Sequence, residues 1–366
     1  MRRIMRGTFY KYGLTALIIG LFTSSGFAQN EHTKQWQRSY DLPANGTVQI
    51  ENKYGNVVVN GWDQDKLQVT IDIKVVHRKD DNAKKLLDRI QPEVTQAGDF
   101  VRITSQIVER SSSLLSRYFN KANPFDFDKS NIQINYEVYL PMNTELDITN
   151  KFGDVVIGAW HGDLDANVQH GDVWVNDDIS TAKVDMRFGK LNLGTIGYGN
   201  IKMNNGGIDI EDAQKLKIIS SGSNIQLDKV NNLEVYSSKD EVSLEAIGSL
   251  RGDFKFSNVD ISIIEQEMFL TLRIAEVDIK KFINPTPEID IVQESSEINM
   301  DVSGLSFDFK ATLEQGLLRV PKTFTNVKST VTNPGRKIRD ITAKYGSSKG
   351  GDFSINGIKG VIVITD

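Results

Sequence analysis

Residues 153–157 of this 366-residue chain read Gly-Asp-Val-Val-Ile, and related segments follow at 171–175 (Gly-Asp-Val-Trp-Val), 189–193 (Gly-Lys-Leu-Asn-Leu) and 207–210 (Gly-Ile-Asp-Ile). The leading glycines, at positions 153, 171, 189 and 207, are evenly spaced. A fixed period of about 18 residues indicates an internal repeat, in which each unit is one small structural element that stacks on the next. This repeat decides the fold class.

Each repeat unit has room for two strands of about five residues and two turns. One such rung cannot bury its own apolar face, so we expect the rungs to stack about 4.8 Å apart around a continuous core. The predicted fold is all-β: a single-stranded β-solenoid, a β-helix-like stack of about 18-residue two-strand rungs. Alternation within each strand predicts an interior set, which comprises Val155, Ile157, Val173, Val175, Leu191, Leu193, Ile208 and Ile210.

Each repeat glycine is expected to form a corner, because glycine adopts a positive φ without strain. The residues that begin the following strands, Asp154, Asp172 and Lys190, are predicted to point outward. An aromatic residue or histidine often precedes a corner glycine. These side chains predict a stacked column along one edge, with a carbohydrate-stacking strip as the alternative, and they are Tyr54, Phe152, His170, Phe188, Tyr198 and Tyr345.

The chain divides into three predicted regions. Residues 1–28 form a signal peptide, residues 29–145 an N-terminal β region, and residues 146–366 the β-strand-repeat solenoid, continuous with the preceding region. Within the N-terminal region, residues 80–90 carry apolar residues at helical spacing, with Asp80 or Asp81 as the cap. They predict one short helix.

Residues 109–130 are polar, serine-rich and without periodicity, which indicates an insertion loop. Its aromatic residues are Tyr118, Phe119, Phe125 and Phe127. Large apolar side chains need a surface to cover. We therefore expect them to cover the end of the solenoid, and contact with a partner is the alternative.

Export is predicted from the first 28 residues. Four basic residues precede a short apolar run at 14–22, and Gly26 and Ala28 supply the small residues of a cleavage site before Gln29. The apolar run is shorter than the ~20 residues that span a membrane, so a membrane anchor is the weaker alternative. Cysteine is absent, which excludes disulfides and the acylated cysteine of a lipoprotein.

The formal net charge is −5, and it becomes −9 once the four basic residues of the leader are removed. An acidic chain without a long basic run argues against nucleic acid as a partner. The predicted location is the periplasm or cell surface of a bacterium.

Residues 50–62 (IENKYGNVVVNGW) and residues 148–157 (ITNKFGDVVI) share one signature. With the alternating strand, short helix and G-D-V-x-V units between and after them, they resemble the bacterial putative-adhesin β-strand-repeat family, related to the toastrack-like domains of envelope-stress systems. The resemblance covers nearly all of the mature chain, and it is clearest at 47–62 and 132–246. It implies an exported, non-catalytic β-solenoid, with no catalytic residues to carry over.

The candidates for chemistry are few. His161-Gly162-Asp163 and His170-Gly171-Asp172 repeat half a rung apart, which predicts opposite corners rather than one metal site. Residues 205–210 (NGGIDI) are similar to a calcium-binding turn but occur once. A glycosidase or lyase would need paired carboxylates, for which the candidates are Asp154, Asp163, Asp172 and Asp209.

Because none of these candidates departs from the repeat, we predict no catalytic, cofactor-binding or metal residues and no enzymatic activity. The predicted function is that of a structural or interaction scaffold, adhesin-like or envelope-stress-related, whose partner is an envelope or surface protein or a glycan. The alternative is a polysaccharide-binding or polysaccharide-degrading β-helix enzyme. A groove lined by out-of-pattern acidic, arginine and aromatic residues would distinguish the two.

Overall fold

The computed structural model describes residues 30–107, 132–347 and 350–366. The predicted signal peptide (1–28) and the predicted insertion loop (109–130), with Tyr118, Phe119, Phe125 and Phe127, lie outside these residues. The described part consists of 26 strands and one short helix. The all-β solenoid-like class is therefore confirmed.

The N-terminal elements are β1 (Asn30–Asp41), β2 (Thr47–Asn52), β3 (Val57–Trp62), β4 (Lys66–His77), α1 (Asp80–Leu87), β5 (Ile90–Ala97), β6 (Phe100–Ile107) and β7 (Ile132–Pro141). Short strands of the first rungs follow: β8 (Glu145–Lys151), β9 (Val155–Gly158), β10 (Asp163–Gln169), β11 (Val173–Val175) and β12 (Ile179–Arg187).

The central rungs are long bent strands: β13 (Lys190–Asn204), β14 (Gly207–Ser221), β15 (Asn224–Ser238), β16 (Glu241–Lys255) and β17 (Asn258–Arg273). The C-terminal strands are β18 (Glu276–Ile279), β19 (Glu288–Glu294), β20 (Glu297–Asp301), β21 (Phe307–Glu314), β22 (Leu317–Arg319), β23 (Thr325–Asn333), β24 (Ile338–Tyr345), β25 (Gly351–Ile358) and β26 (Val361–Thr365).

Each rung contributes a strand to each of two parallel ladders. Ladder I runs in spatial order through β7, β3, β9, β11, the first parts of β13 to β17, β18, β20, β26 and β22. Ladder II runs through β6, β2, β8, β10, β12, the second parts of β13 to β17, β19, β25 and β21. The predicted two-strand rung is thus the building unit.

The period is not constant, which corrects the predicted fixed spacing. Val173 pairs with Leu191 and Leu191 pairs with Ile208, so the second of these steps along the chain is one residue shorter than the first. The next two rungs keep the shorter step, since Ile208 pairs with Ile225 and Ile225 pairs with Val242. Gly207 therefore pairs with Lys190 and does not repeat the corner of the earlier rungs.

The predicted interior is confirmed. Val155, Val173, Leu191 and Ile208 are each at most 1% exposed and pair in succession along ladder I. The other four predicted residues are at most 4% exposed. Like residues from successive rungs therefore form one aliphatic core that is continuous along the stack.

Both ends of the stack depart from chain order. The rung of β2 and β3 lies between the later rungs β6–β7 and β8–β9. At the other end, the last rung, β25 and β26, lies between β19–β20 and β21–β22. At the N-terminal end an early rung is thus flanked by two later ones, and at the C-terminal end the chain returns to fill a position it had skipped, in each case with parallel pairing on both sides.

The N-terminal end closes with antiparallel strands. β4 pairs with β7 and β1 with β4, while β5 pairs with β6. The helix α1 packs on β1 and β4 and ends at Leu87, before the predicted end, because Ile90 begins β5. The N-cap is Lys79 without a side-chain cap bond, and Asp80 and Asp81 occupy the first turn instead, where carboxylates still favour the helix dipole.

The C-terminal end closes with β24, antiparallel to β21, and with β23, antiparallel to β24. An aromatic cluster fills the interior here with edge-to-face and stacked contacts at ring-centroid distances of 5.1–5.8 Å. Its members are Phe307, Phe309, Phe324, Tyr345 and Phe353. Since Phe353 belongs to the intercalated strand β25, this cluster joins the last rung to the cap.

Candidate functional site

The repeat corner has a different cause from the one predicted. The positive φ belongs to the residue before the glycine: 61° at Phe152, 56° at His170 and 57° at Phe188. Glycine is needed for close stacking, because a Cβ on Gly171 would lie 1.9 Å from the carbonyl oxygen of Gly153. The backbones of successive rungs therefore approach too closely at this point for any side chain.

Later corners follow the same rule at the shorter period. A Cβ on Gly206 would lie 2.2 Å from the carbonyl oxygen of Gly189. Gly206, and not the predicted Gly207, is thus the equivalent of Gly189. Asn205, directly before it, has a φ of 55°.

The predicted aromatic column exists in four successive rungs. Ring centroids lie 5.9 Å apart for Tyr54 and Phe152, 5.1 Å for Phe152 and His170, and 4.8 Å for His170 and Phe188, with interplanar angles of 12° or less. Such stacking contributes about 0.5–1.5 kcal/mol per pair. It offsets part of the roughly 1–2 kcal/mol that a left-handed backbone costs a non-glycine residue. The column therefore has a structural explanation.

Two residues predicted for the column lie elsewhere. Tyr345 is buried in the C-terminal aromatic cluster, 5.3 Å from Phe307. Tyr198 projects from the outer face of ladder II and is 40% exposed.

The acidic residues after the corner glycines bond to the backbone. Asn135 Oδ1 accepts the N–H of Asn56, and Asn56 Oδ1 accepts the N–H of Asp154, both at 3.0 Å. Asp154 Oδ1 accepts the N–H of Asp172 at 2.9 Å, and Asp172 Oδ1 accepts that of Lys190 at 2.7 Å. Asp154 and Asp172 are accordingly half-buried, whereas Lys190 is exposed. This chain of bonds satisfies corner donors that would otherwise lack partners.

Asp240 likewise accepts hydrogen bonds from donors at a corner, but at a more buried position. Its carboxylate is 2% exposed and accepts hydrogen bonds from Ser220 Oγ (2.5 Å), Ser223 N (2.7 Å), Ser237 Oγ (2.8 Å) and Ser238 N (3.1 Å). A buried carboxylate with four donors is satisfied without a cation. Its surroundings indicate a structural corner.

The two H-G-D histidines flank β10, one at each end, as their spacing predicts. His161 Nδ1 lies 3.0 Å from the carbonyl oxygen of Asp178, and His170 stacks in the aromatic column. The remaining histidines lie near the helix: His32 Nε2 is 2.6 Å from Asp80 Oδ1, and His77 Nδ1 accepts the N–H of Lys79. Each ring has a local partner.

The four carboxylates considered for catalysis do not converge. Asp154 and Asp172 bond to the corner backbone, Asp163 begins β10 in ladder II, and Asp209 lies in ladder I, 3.4 Å from Lys190 Nζ. In residues 30–107, 132–347 and 350–366, no group of three histidine or acidic side chains is placed to hold a metal ion. The calcium-like segment 205–210 forms a corner and the start of β14.

The outer face of ladder II carries an exposed cluster that the repeat does not require. We call it the ladder II patch, and its six residues are Tyr198, Lys217, Glu234, Tyr236, Arg251 and Phe269. Lys217, Glu234, Arg251 and Phe269 occupy one outward column in four successive rungs. Tyr198 and Tyr236, both 40% exposed, project from the columns on either side.

Charged groups of the patch lie against its aromatic rings. Lys217 Nζ lies 5.1 Å from the ring centroid of Tyr236, and the Arg251 guanidinium carbon lies 4.8 Å from that of Phe269. Both distances are within the range of cation–π attraction. Each cation therefore lies over one face of its ring and restrains the ring's orientation.

Glu234 links the centre of the patch. It accepts hydrogen bonds from Tyr236 Oη at 2.7 Å and Lys217 Nζ at 3.0 Å. These bonds, the tyrosine hydroxyl first, lower the pKa of Glu234 below its usual value. The carboxylate in turn raises the pKa of Lys217 and of Tyr236. At neutral pH the centre therefore holds a fixed carboxylate, ammonium and phenol.

A groove of about 340 Å³ runs over this face, lined by five of the patch residues, by the charged side chains of Lys215 and Glu267, and by neutral polar side chains including Asn232 and Ser249. A second groove of about 230 Å³ adjoins it between Tyr236, Arg251 and Phe269. A groove with acidic, arginine and aromatic residues is the feature expected of the alternative, a polysaccharide-binding or polysaccharide-degrading protein. The single sequence did not reveal it, because the alignment of these positions in neighbouring rungs depends on the shorter period of the central rungs.

Another groove, of about 450 Å³, lies at the N-terminal end of ladder II and is lined chiefly by charged and hydroxyl side chains. Its Arg102 is paired with Glu51 at 2.6 Å. Lys53, Glu93 and Lys151 also line this groove, and its described lining contains no aromatic side chain, in contrast to the ladder II patch.

Among the residues that the structure describes, no helix is long and apolar enough to span a membrane. No family model matches the chain, and no curated protein is similar to it. Several solved structures are similar, as follows.

A putative adhesin from Parabacteroides merdae is 7% identical and matches 91% of this chain and 97% of its own, with a TM-score of 0.35. A putative lipid binding protein from Parabacteroides distasonis is 11% identical, with the same coverage and a TM-score of 0.30. A putative cell adhesion protein from Clostridium sporogenes is 9% identical, matching 91% and 99% of the two chains, with a TM-score of 0.20. Two of the three are named for adhesion, as is the family that the sequence resembles. At these TM-scores the likeness says nothing further about this chain.

Proposed function

We propose that this chain is an exported, non-catalytic interaction scaffold of the adhesin-like kind, which holds a surface or envelope partner against the outer face of ladder II. One observation carries the proposal: the ladder II patch places two half-exposed tyrosines, an arginine and a phenylalanine on a rigid parallel sheet. Tyrosine and arginine are the residues that most often dominate binding energy at interfaces.

The rigidity of the support favours this function. Every strand beneath the patch pairs on both sides, and its inward residues lie in the solenoid core. A site built on paired strands needs little ordering when a partner binds, which lowers the entropic cost of association.

Arg251 has free capacity. Within the part of the chain that the structure describes, its guanidinium contacts the ring of Phe269 but has no hydrogen bond or ion pair. A guanidinium presents five N–H donors, so this side chain can bind an incoming acceptor without breaking an existing bond.

Export and location form part of the proposal. The 1–28 leader supports secretion to the periplasm or cell surface, with a mature chain that starts at Gln29. A role beside envelope-stress systems is a narrower version of the same proposal. N-terminal sequencing of the protein from the envelope fraction tests the export: a chain that still starts at Met1 would contradict it.

The binding test compares two double variants of the mature chain on intact cell envelopes of the producing bacterium. Tyr198→Ala with Tyr236→Ala removes patch rings, and Gln226→Ala with Ser243→Ala changes exposed residues of ladder I in neighbouring rungs. We expect the patch variant to lose roughly tenfold or more in affinity and the ladder I variant to bind like the wild type. Equal binding by all three proteins would refute the proposal.

Catalysis is tested on the same preparations. Incubation with envelope polysaccharides should release no new reducing ends. Release of new reducing ends by the wild type but not by the patch variant would contradict the scaffold proposal. It would support the alternative, a polysaccharide-degrading β-helix enzyme.

A further inference from the structure

We propose that the ladder II patch binds an anionic polysaccharide in which acidic and neutral sugars alternate, lying along the axis of the stack. This inference rests on the proposed function, since it names the class of partner that the same surface takes.

The charge of the two faces differs on the same rungs. In the ladder I segments 207–211, 224–228, 241–245 and 258–262 there are six acidic residues and no basic one. The ladder II segments 213–221, 230–238, 247–255 and 264–273 hold five basic and four acidic residues. On a chain that is acidic as a whole, ladder II is thus the face of these rungs where an anion meets least repulsion.

The two cations of the patch are separated along the axis of the stack. Lys217 and Arg251 lie in one column, two rungs apart, with Glu234 between them. At about 4.8 Å per rung the two positive groups are about 10 Å apart. A polymer with a carboxylate on every sugar would place one against Glu234. A polymer with alternating acidic and neutral sugars places a neutral sugar there, and Glu234 can accept a hydrogen bond from one of its hydroxyls.

The surface also suits sugar rings. Tyr198, Tyr236 and Phe269 present aromatic surface, while Asn232 and Ser249 supply neutral hydrogen-bonding groups in the same grooves. A pyranose ring combines an apolar face of C–H groups with hydroxyls at its rim, so it uses both kinds of contact.

An acidic polypeptide fits this face less well. A peptide commonly gains affinity by pairing with an exposed strand edge, but each strand under the patch already pairs with a neighbour on both sides. Recognition here must come from side chains, and the aromatic and neutral groups would find few partners on a polyanionic peptide.

The experiment measures binding of the mature protein to hyaluronan fragments (alternating glucuronate and N-acetylglucosamine), polygalacturonate, dextran and poly-L-glutamate by calorimetry at two salt concentrations. We expect hyaluronan to bind tightest and to weaken as salt rises, with dextran not binding. Arg251→Ala should weaken hyaluronan binding roughly tenfold. The matched control is Lys280→Ala, which removes an equal charge from an exposed position directly after β18 of ladder I.

Unchanged melting temperatures establish that both variants fold. Equal affinity of Arg251→Ala and Lys280→Ala would overturn the inference, as would binding of poly-L-glutamate or dextran as tight as that of hyaluronan. Polygalacturonate as the best ligand would overturn the alternation of sugars. If no polysaccharide binds but the Tyr198→Ala/Tyr236→Ala variant still fails to bind cell envelopes, the inference is wrong and the proposed function stands. If that variant also binds envelopes normally, both fall.

Discussion

At the residue scale, the corner of each rung depends on two adjacent residues with different tasks. Phe152, His170 and Phe188 adopt the left-handed backbone that the sequence pattern attributes to glycine. The glycines that follow leave room for the carbonyl oxygen of the rung beneath. The glycine positions were predictable from the repeat, but the reason for them was not, since it involves a backbone atom of another rung.

Replacement of Gly171 by alanine tests this explanation. The new Cβ would lie 1.9 Å from the carbonyl oxygen of Gly153, a contact that backbone atoms can relieve only by moving. We expect a loss of roughly 1–3 kcal/mol in the free energy of unfolding, the usual cost of overpacking, measured by urea denaturation. Gly194→Ala is the control, because its Cβ would have no neighbour within 4 Å. Equal stability of the two variants would show that close stacking does not select glycine.

Tyr136 gives a pH-dependent test of the core. It is 1% exposed, its hydroxyl bonds to Ser105, and burial raises its pKa from 10.0 to about 12. The folded protein therefore favours the protonated phenol more than the unfolded chain does. This contribution is complete below pH 10 and is lost as the pH rises towards 12.

The expected loss is about 1.4 kcal/mol for each pH unit above 10. It is measured as the difference in unfolding free energy between about pH 9 and about pH 11 for the wild type, minus the same difference for Tyr136→Phe, which cannot ionise. The same pH dependence in both proteins would mean that Tyr136 is not the group responsible.

At the element scale, the order of rungs is the unexpected feature. β25 and β26 lie between β19–β20 and β21–β22. No pattern within residues 351–365 predicts this position. Phe353 contacts Phe307 and Phe309 at ring-centroid distances of 5.2 Å. The last rung is thus the shared partner of both neighbours, and the C-terminal cap depends on it.

Deletion of residues 350–366 should therefore lower the melting temperature and remove hydrogen-exchange protection from 288–345, while the rungs from 146 to 273 keep theirs. A synthetic peptide of residues 350–366 should restore protection in 288–345, because it re-forms two parallel pairings and the aromatic cluster. The scrambled peptide is the control. Restoration by both peptides, or full protection without either, would contradict the shared-rung arrangement.

At the scale of the whole molecule, the stack is a one-dimensional series of nearest-neighbour contacts. Central rungs pair on both sides in both ladders, whereas the terminal strand β23 pairs on one side and is exposed along its whole length. Protection should therefore follow position in the stack and not position in the sequence.

Native-state hydrogen exchange measures this directly. We expect amides of residues 207–261 to exchange slowest, and those of β23 to exchange orders of magnitude faster, since local opening of an end costs less than separation of the centre. Uniform protection along the chain would indicate that the stack unfolds as one unit and would refute the nearest-neighbour description.

The sequence by itself determined the all-β class, the two-strand rung, the buried aliphatic ladder from Val155 to Ile210 and four members of the aromatic column. These follow from alternation and spacing within about 20 residues, where periodicity alone assigns a side chain to one face. It also located the one helix of the described residues, although the prediction extended this helix to residue 90 and it ends at Leu87.

Only the tertiary structure decided the rest. The shortening of the rung by one residue after Leu191 sets which outward side chains of Asn200, Lys217, Glu234 and Arg251 become neighbours, and the ladder II patch exists only through that register. Likewise, the intercalated rungs depend on pairings between residues far apart in the chain, such as Thr47 with Glu145. Contacts between rungs are set by the three-dimensional alignment of strands, which no pattern within one rung contains.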